Sequence, residues 1–466
     1  MKFRLEEIEV PEDEPFKYDT LKRQPVVEFV RDLIKQLEGP FVLALDSPWG
    51  TGKTTVVRML RASLKREGVA SVYFNAWKED YVSDPLIPMV AAIDEIKVSA
   101  PEAEKRFSEH MATVKRVASK VAKRGLVAAV KLATMNAVDL EEVTEDVLST
   151  TAGDVADDVI ESFKQEKASL ERFREALEDA VKAVQSEGSS KQLVFFIDEL
   201  DRCRPTFAIE LLERVKHLFD VKNMVFVLSI DKKQLEAITA AVYGERIDAR
   251  EYLRRFIDLE FSLPSIYSEG LTKALMARYG LDSFFQARRK NSDLAYDEEN
   301  FIDTFTVLSR LFNLSLRVRE HCITRLAVVL NQTEGDHYLD PIFVAFLIVL
   351  RATKPDYFER LVSGSTSPDE MLEHLWAEPG GLDFKSDKLA VVIACYLYVG
   401  DPNVERRESR FKEFGKLVAS EKQTPDVVAA YEIIEMRKHV PQRSFGRTFN
   451  ILHVARKVDI AAMLDR

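Results

Sequence analysis

Two short stretches carry the residue types needed to grip a polyphosphate. The first, Ser47-Pro48-Trp49-Gly50-Thr51-Gly52-Lys53-Thr54-Thr55, follows an apolar run from Phe41 to Leu45 and leads into a helical pattern. A glycine-containing turn at a helix N-terminus aims several backbone N–H groups, and the positive end of the helix dipole, at one anion. Lys53 then reaches the β- and γ-phosphates, and the Thr54 hydroxyl completes the coordination of Mg²⁺. The strict P-loop pattern asks for glycine at position 47, where this chain has Ser47, so the turn keeps Gly50 and Gly52 with one permissive position fewer. The second stretch, Val194-Phe195-Phe196-Ile197-Asp198-Glu199-Leu200-Asp201-Arg202, is an apolar strand that ends in two adjacent carboxylates. Asp198 suits the water shell of Mg²⁺ and Glu199 suits the group that orients an attacking water, with Asp201 next in line for that task. Because the lysine and the acids are far apart in sequence, parallel strands lying side by side in a βαβ sheet must bring them together.

These stretches, together with Tyr73-Phe74-Asn75-Ala76-Trp77 and Ile197-Asp198-Glu199-Leu200-Asp201-Arg202-Cys203, resemble the KAP family of P-loop NTPases. Phe226-Val227-Leu228-Ser229-Ile230-Asp231 is similar to the family's following strand. Ala249-Arg250-Glu251-Tyr252-Leu253-Arg254-Arg255-Phe256 is similar to its arginine-bearing helix before a closing Leu-Pro strand. The resemblance covers roughly residues 18 to 330. It implies an α/β fold, a parallel P-loop NTPase sheet of the AAA-like, additional-strand kind, with a helical insert, a helical lid and a helical C-terminal region. It further implies ATP and Mg²⁺ as ligands and hydrolysis as the reaction, and its relatives include phage-exclusion and defence proteins as well as animal signalling scaffolds.

Site residues follow from the same resemblance. The cradle is Ser47, Pro48, Trp49, Gly50, Thr51, Gly52, Lys53, Thr54 and Thr55, with Arg23 added from the preceding helix; Thr54 and Asp198 hold the metal. Glu199 and Lys53 are catalytic, joined by Arg255, which precedes Phe256 as a trans-acting arginine finger does, and by Arg317 of Leu314-Ser315-Leu316-Arg317-Val318-Arg319 in the lid. Four alternatives stand beside these roles. Arg23 equally suits the solvated face of a helix, and Arg254 and Arg255 suit surface pairs with Glu251 or Asp258. Asp231 suits a helix cap as well as a sensor between γ-phosphate and water, and Trp77 suits packing at the rim of the core.

The elements that must position these residues are legible in outline. Tyr18 to Leu37 has a helical pattern before the first strand, and Val72 to Phe74 reads as a short strand. The chain divides into 1–100, the linker and first part of the core; 101–188, a helical insert; 189–266, the rest of the core; 267–334, the lid; and 335–466, a C-terminal helical domain. Within the insert, Lys115, Arg116, Lys120, Lys123, Arg124 and Lys131 accompany Val114, Val117 and Val121. An acidic part from Asp139 to Glu161 follows, then a third helix with Leu170, Phe173, Leu177, Val181 and Val184, and Ser186-Glu187-Gly188-Ser189-Ser190 breaks it. Such charge segregation suits a helical hairpin, or a helix held against a membrane surface or another protein, with the hairpin or protein role preferred because the basic helix lacks Trp and Phe anchors.

Composition bounds the rest. The 466 residues exceed one compact core, and a net charge of −11 argues against a broadly basic surface for nucleic acid. Cys203, Cys322 and Cys395 lack metal-ligand spacing and point to a reducing interior. Met1 to Val10 has no apolar core of a leader, and no run of eighteen or more apolar residues offers a membrane span. The expectation is a soluble, cytoplasmic, self-associating protein that works as a nucleotide-dependent switch or assembly motor, with partner proteins on the insert or C-terminal domain. The alternative is a nucleotide-binding scaffold with little or no hydrolysis.

Overall fold

The computed structural model describes residues 1–2, 8–37, 39–98, 100–135, 145–184, 192–264, 266–333, 337–420, 424–440 and 449–459, without the side chains of 123–135, 145–163 and 166. The chain divides into two compact units, Ile8–Pro264 and Met1–Glu7 with Ser265–Arg466.

The unit Ile8–Pro264 is built on five parallel strands: β1 (Phe41–Asp46), β2 (Ala70–Asn75), β3 (Leu193–Asp198), β4 (Met224–Ile230) and β5 (Leu259–Ser262), in the spatial order β2-β3-β4-β1-β5. β4 pairs with both β1 and β3, so the lysine strand and the acid strand are not the side-by-side neighbours that their motifs alone suggest. The interposed strand is the additional one that the family resemblance implies. Side chains alternate across the sheet with period two. Leu43, Leu45, Val194, Phe196, Val225 and Val227 pack on one face with α1 (Gln24–Ile34) and α2 (Lys53–Arg66), through Val27, Val30, Ile34, Val57 and Leu60. Val42, Ala44, Phe195, Ile197, Phe226 and Leu228 pack on the other. Covering both faces is what makes β1, β3 and β4 near-continuous apolar runs.

That second face is covered by α4 (Leu86–Asp94), α5 (Pro101–Met135), α6 (Glu145–Val184), α7 (Pro205–Leu218) and α8 (Lys232–Tyr243); the short α3 (Ala76–Glu79) follows β2, and α9 (Ala249–Leu253) precedes β5. The insert has two long helices packed on each other, where three helical parts were expected: the later acidic stretch and the helix carrying Leu170 to Val184 are one element, since no proline interrupts it. Its base belongs to the core. Phe107, Met111, Val114, Val117, Phe173, Leu177 and Val181 are buried in the same cluster as Val72 and Phe74 of β2. The side chains of Lys123, Arg124, Lys131 and of the acidic residues from Glu145 to Glu161, and all of Asp139 to Glu142 and of the break at Ser186–Ser190, lie outside what is described.

The other unit is helical among its described residues. It runs through α10 (Glu269–Arg278), α11 (Asp282–Arg288), α12 (Asp297–Leu311), α13 (Leu316–Asn331) and α14 (Pro341–Thr353), and then, among the described residues, seven further helices of 5 to 15 residues that end with Ile451–Val458. Ten consecutive residues of α14, Pro341 to Leu350, are buried. Among the described residues no helix is long and apolar enough to cross a membrane.

Candidate functional site

The turn between β1 and α2 takes the shape an anion needs. Gly50 and Gly52 have φ of 73° and 89°, values that non-glycine residues rarely adopt, and Gly52 is the N-cap of α2. Position 47 lies outside the left-handed region, so it has no need of glycine. Ser47 is buried there, its N–H donating to the Ile230 carbonyl at 3.0 Å and its hydroxyl to the Leu263 carbonyl at 3.3 Å. The Thr51 hydroxyl donates to Pro48 O at 2.8 Å and braces the turn. Lys53 Nζ donates to the Ser47 carbonyl and, at 3.3 Å, to that of Pro48. Burial lowers the Lys53 pKa, and the charges of Asp201, Asp231, Asp198 and Asp46 oppose that shift. Thr54 and Thr55 are half-buried in the first turn of α2.

The C-terminal ends of the strands bring Asn75, Asp198 and Ser229 into one register row across β2, β3 and β4. Asp198 is buried, accepting from the Tyr73 hydroxyl at 3.0 Å and from the Glu199 N–H at 3.0 Å. Burial raises the Tyr73 pKa, and the Asp198 charge adds to it, so the phenol stays a donor. Glu199 sits at φ 60°, a left-handed conformation that costs of order 1–2 kcal/mol in a non-glycine residue. Its Oε2 accepts from Asn75 Nδ2 at 3.0 Å, and its Oε1 pairs with Arg202 Nη1 at 2.5 Å. Ser229 Oγ is fully buried without a hydrogen-bond partner among the described residues.

Two further acids are committed to the loop. Asp201 Oδ2 accepts from the Trp49 indole at 2.6 Å and from the Asp231 N–H at 2.8 Å. Burial raises the Asp201 pKa, with Lys53 and the Trp49 bond pulling the other way. Asp231 Oδ2 accepts from the Trp49 N–H at 3.3 Å and makes no side-chain cap on α8. The Lys232 N–H is taken instead by Asp46 Oδ1 at 2.8 Å. The capping role considered for Asp231 therefore falls to Asp46, at the end of the neighbouring strand.

Among the arginines, Arg23 is buried rather than solvated. Its Nη2 donates to the Pro264 carbonyl at 2.7 Å, its Nε has no partner among the described residues, and burial lowers its pKa. Arg254 pairs with Glu251 at 2.8 Å, as a surface arginine would. Arg255 is exposed, its guanidinium 5.9 Å from the centre of the Tyr252 ring, and has no carboxylate partner among the described residues. Asp258 instead accepts from the Val42 N–H at 2.8 Å. Arg317 belongs to the helical unit, exposed in the first turn of α13. Its neighbour Arg319 is buried and spent on that unit, donating to Leu314 O and Ile266 O with its guanidinium 4.4 Å from the Tyr267 ring centre. Trp77 lies at the rim, 53% exposed, under the Arg202 guanidinium.

Sequence reasoning gave Asn75, Tyr73, Arg202 and the Trp49 indole no such contacts. The first two lie in the Tyr73-Phe74-Asn75 stretch that carries the family resemblance, but nothing local sets the register that aligns them with the acid strand. The donor set fits a Mg²⁺-nucleotide. The turn offers N–H groups and an ammonium, Ser229 leaves a buried hydroxyl unused, and among the described residues no three His, Cys, Asp or Glu side chains could hold a metal on their own. Mg²⁺ characteristically takes one or two protein ligands and fills the rest with phosphate and water.

A parallel sheet with this turn on one strand and this acid pair on another defines a P-loop NTPase. The KAP family P-loop domain matches residues 23–330, and the chain belongs to that family. No curated protein matches it. Solved structures with some likeness include the Aeropyrum pernix ORC2 protein in ADPNP–ADP complexes, at 14% identity over 89% of this chain and 94% of that one, with a TM-score of 0.33. Another is Drosophila ORC bound to poly(dA/dT) DNA and Cdc6, at 13% identity and a TM-score of 0.29, where the match spans 90% of this chain and 62% of that one. Likeness this low says nothing of what this chain binds.

Proposed function

We propose that this chain binds and hydrolyses ATP with Mg²⁺ and uses the cycle as a switch or assembly motor, associating with itself and with other proteins inside the cell. The loop N–H groups and Lys53 hold the phosphates. Thr54 and Asp198 are the residues to hold Mg²⁺, whose charge would offset that of the phosphates when bound. Glu199 accepts a hydrogen bond from the attacking water while Asn75 fixes its other oxygen, and Ser229 Oγ donates toward the same place. Arg23 closes the cradle, and Arg255 and Arg317 supply positive charge to the transferred group. A role in bacterial defence against phage or other mobile elements rests on the family's defence members alone.

The observation that carries hydrolysis over mere binding is the Glu199 carboxylate. It is placed by a left-handed backbone and held by two partners beside Asp198, and a scaffold that only binds nucleotide has no use for that strain. Glu199→Gln keeps the shape and loses the acceptor charge. Nucleotide affinity should stay within about twofold while hydrolysis falls by roughly two orders of magnitude. Undiminished turnover overturns the assignment, and a wild-type chain that binds ATP without turnover favours the scaffold.

A further inference from the structure

A depression of about 520 Å³ adjoins the phosphate loop, walled by Trp49, Trp77, Arg202, Cys203, Ile238 and Ala241 among others. Its two indoles are 40% and 53% exposed. Exposed tryptophan beside arginine is the composition of an interface centre rather than of ordinary surface. An engulfed small ligand would have most of its surface covered, whereas these rings stand open to solvent, as suits a protein partner. The charged groups in the walls are unequal. Asp201 is buried and already accepts from Trp49 and the Asp231 N–H, and burial keeps the Cys203 thiol neutral. Arg202 remains reachable, its side chain 22% exposed, lying 5.5 Å from the Trp77 ring centre and paired with Glu199.

We propose that this depression docks an apolar segment of a partner protein that carries a carboxylate, and that the incoming carboxylate draws Arg202 away from Glu199. The proposal rests on Glu199 orienting the attacking water. While Arg202 pairs with Oε1 and Asn75 holds Oε2, each oxygen has one acceptor site taken and the guanidinium offsets the carboxylate charge, so Glu199 is a weaker acceptor for water. A second anion on the guanidinium competes for the same charge and frees Oε1, and Asn75 keeps the carboxylate in place. The partner's binding is thereby coupled to turnover through a single ion pair.

The test uses the full chain and steady-state ATP hydrolysis. Arg202→Gln removes the competing charge, so kcat should rise about two- to fivefold, the size expected of one partly exposed ion pair, with KM for ATP unchanged. A merely structural arginine would instead give lower kcat and a lower melting temperature, and an unchanged or reduced kcat overturns the proposal. The second arm adds 4-phenylbutyrate, a minimal apolar carboxylate, against its uncharged amide. The acid should raise kcat saturably in the native chain, the amide should not, and Arg202→Gln should be indifferent to both; equal effects of acid and amide, or no effect of either, overturn carboxylate recognition. Loss of hydrolysis in Glu199→Gln with no gain in Arg202→Gln defeats the docking site alone. Full hydrolysis in Glu199→Gln defeats the assignment beneath it.

Discussion

Replacing Trp49 with phenylalanine takes one hydrogen bond out of the site while keeping most of the ring. The bond runs from the indole to Asp201 Oδ2 at 2.6 Å, and that oxygen's other donor among the described residues is the Asp231 N–H. Asp201 is 4% exposed, so water cannot replace the lost donor freely. A hydrogen bond to a charged acceptor is worth about 1.5–3 kcal/mol, and the expected loss is about 2 kcal/mol, or about 4–8 °C of melting temperature for a unit of this size. The sign of the pH dependence follows from the direction of the Asp201 shift. Burial raises its pKa in the folded state, so the stability linked to its proton is complete below the unfolded value and is lost as pH rises through the folded one. Trp49→Phe raises that pKa further, and its penalty should grow from acid toward neutral pH. In an Asp201→Asn background the same substitution removes a neutral bond worth about 1 kcal/mol, leaving a coupling of about 1 kcal/mol in a double-mutant cycle. Calorimetric unfolding of the four proteins near pH 4.5 and near pH 7.5, just above and well above the usual carboxylate range, measures this. Additive losses that do not change with pH would show that the indole–carboxylate bond contributes nothing.

Lys53→Ala should lower ATP affinity by about two orders of magnitude, since it deletes the ammonium proposed to meet the phosphates; wild-type affinity by calorimetric titration would sink the cradle assignment. Burial lowers the pKa of Lys53, so the affinity of the native chain should decline with rising pH from below the ordinary lysine range, and Lys53→Arg should flatten that limb. Chelating Mg²⁺ should weaken ATP binding on the order of tenfold, because phosphates entering beside Asp198, Asp201 and Asp231 meet like charge that Lys53 alone cannot offset; equal affinities with and without chelator would count against Thr54 and Asp198 as metal-holding residues. If Arg255 acts on a second copy, hydrolysis per subunit rises with protein concentration and Arg255→Ala abolishes that rise while ATP affinity stays put. A concentration-independent rate in a monomeric protein removes the trans role.

What was legible in the sequence was what lies close together along the chain. An apolar strand, a glycine-bearing turn and a helix are consecutive in Phe41 to Arg66, and so are the strand and acids of Val194 to Asp201. Partners across the sheet were not. Asn75 meets Glu199 only because β2 and β3 align Asn75 with Asp198, and no local pattern encodes that register. The strand order belongs to the same class: the motifs alone place β1 beside β3, whereas β4 separates them. Ser47 looked like a lost glycine by pattern, yet its backbone is not left-handed and its hydroxyl ties the loop to the strand-end carbonyl of Leu263. Arg23 suited a solvated face because helical periodicity was extended back to it. It stands instead at the N-cap of α1, turned into the protein toward Pro264.

The contacts around Trp49 also bear on how the site works as a unit. Its indole and its N–H are held by two carboxylates, Asp201 on the turn after β3 and Asp231 at the end of β4. The tip of the phosphate loop is thus tied to the same two strand ends that present Asp198 and Ser229. Asp201 and Arg202 are consecutive in the short 3-10 turn Leu200–Arg202, one fastened to the loop and the other to Glu199. The loop tip is therefore linked to the Arg202–Glu199 pair through the Trp49–Asp201 hydrogen bond and the backbone of that turn. Cutting the tie at Trp49 should loosen that connection while leaving Lys53 and Glu199 in place, so under the proposed function Trp49→Phe should change the rate of hydrolysis with little change in ATP affinity, and an unchanged rate would refute the link.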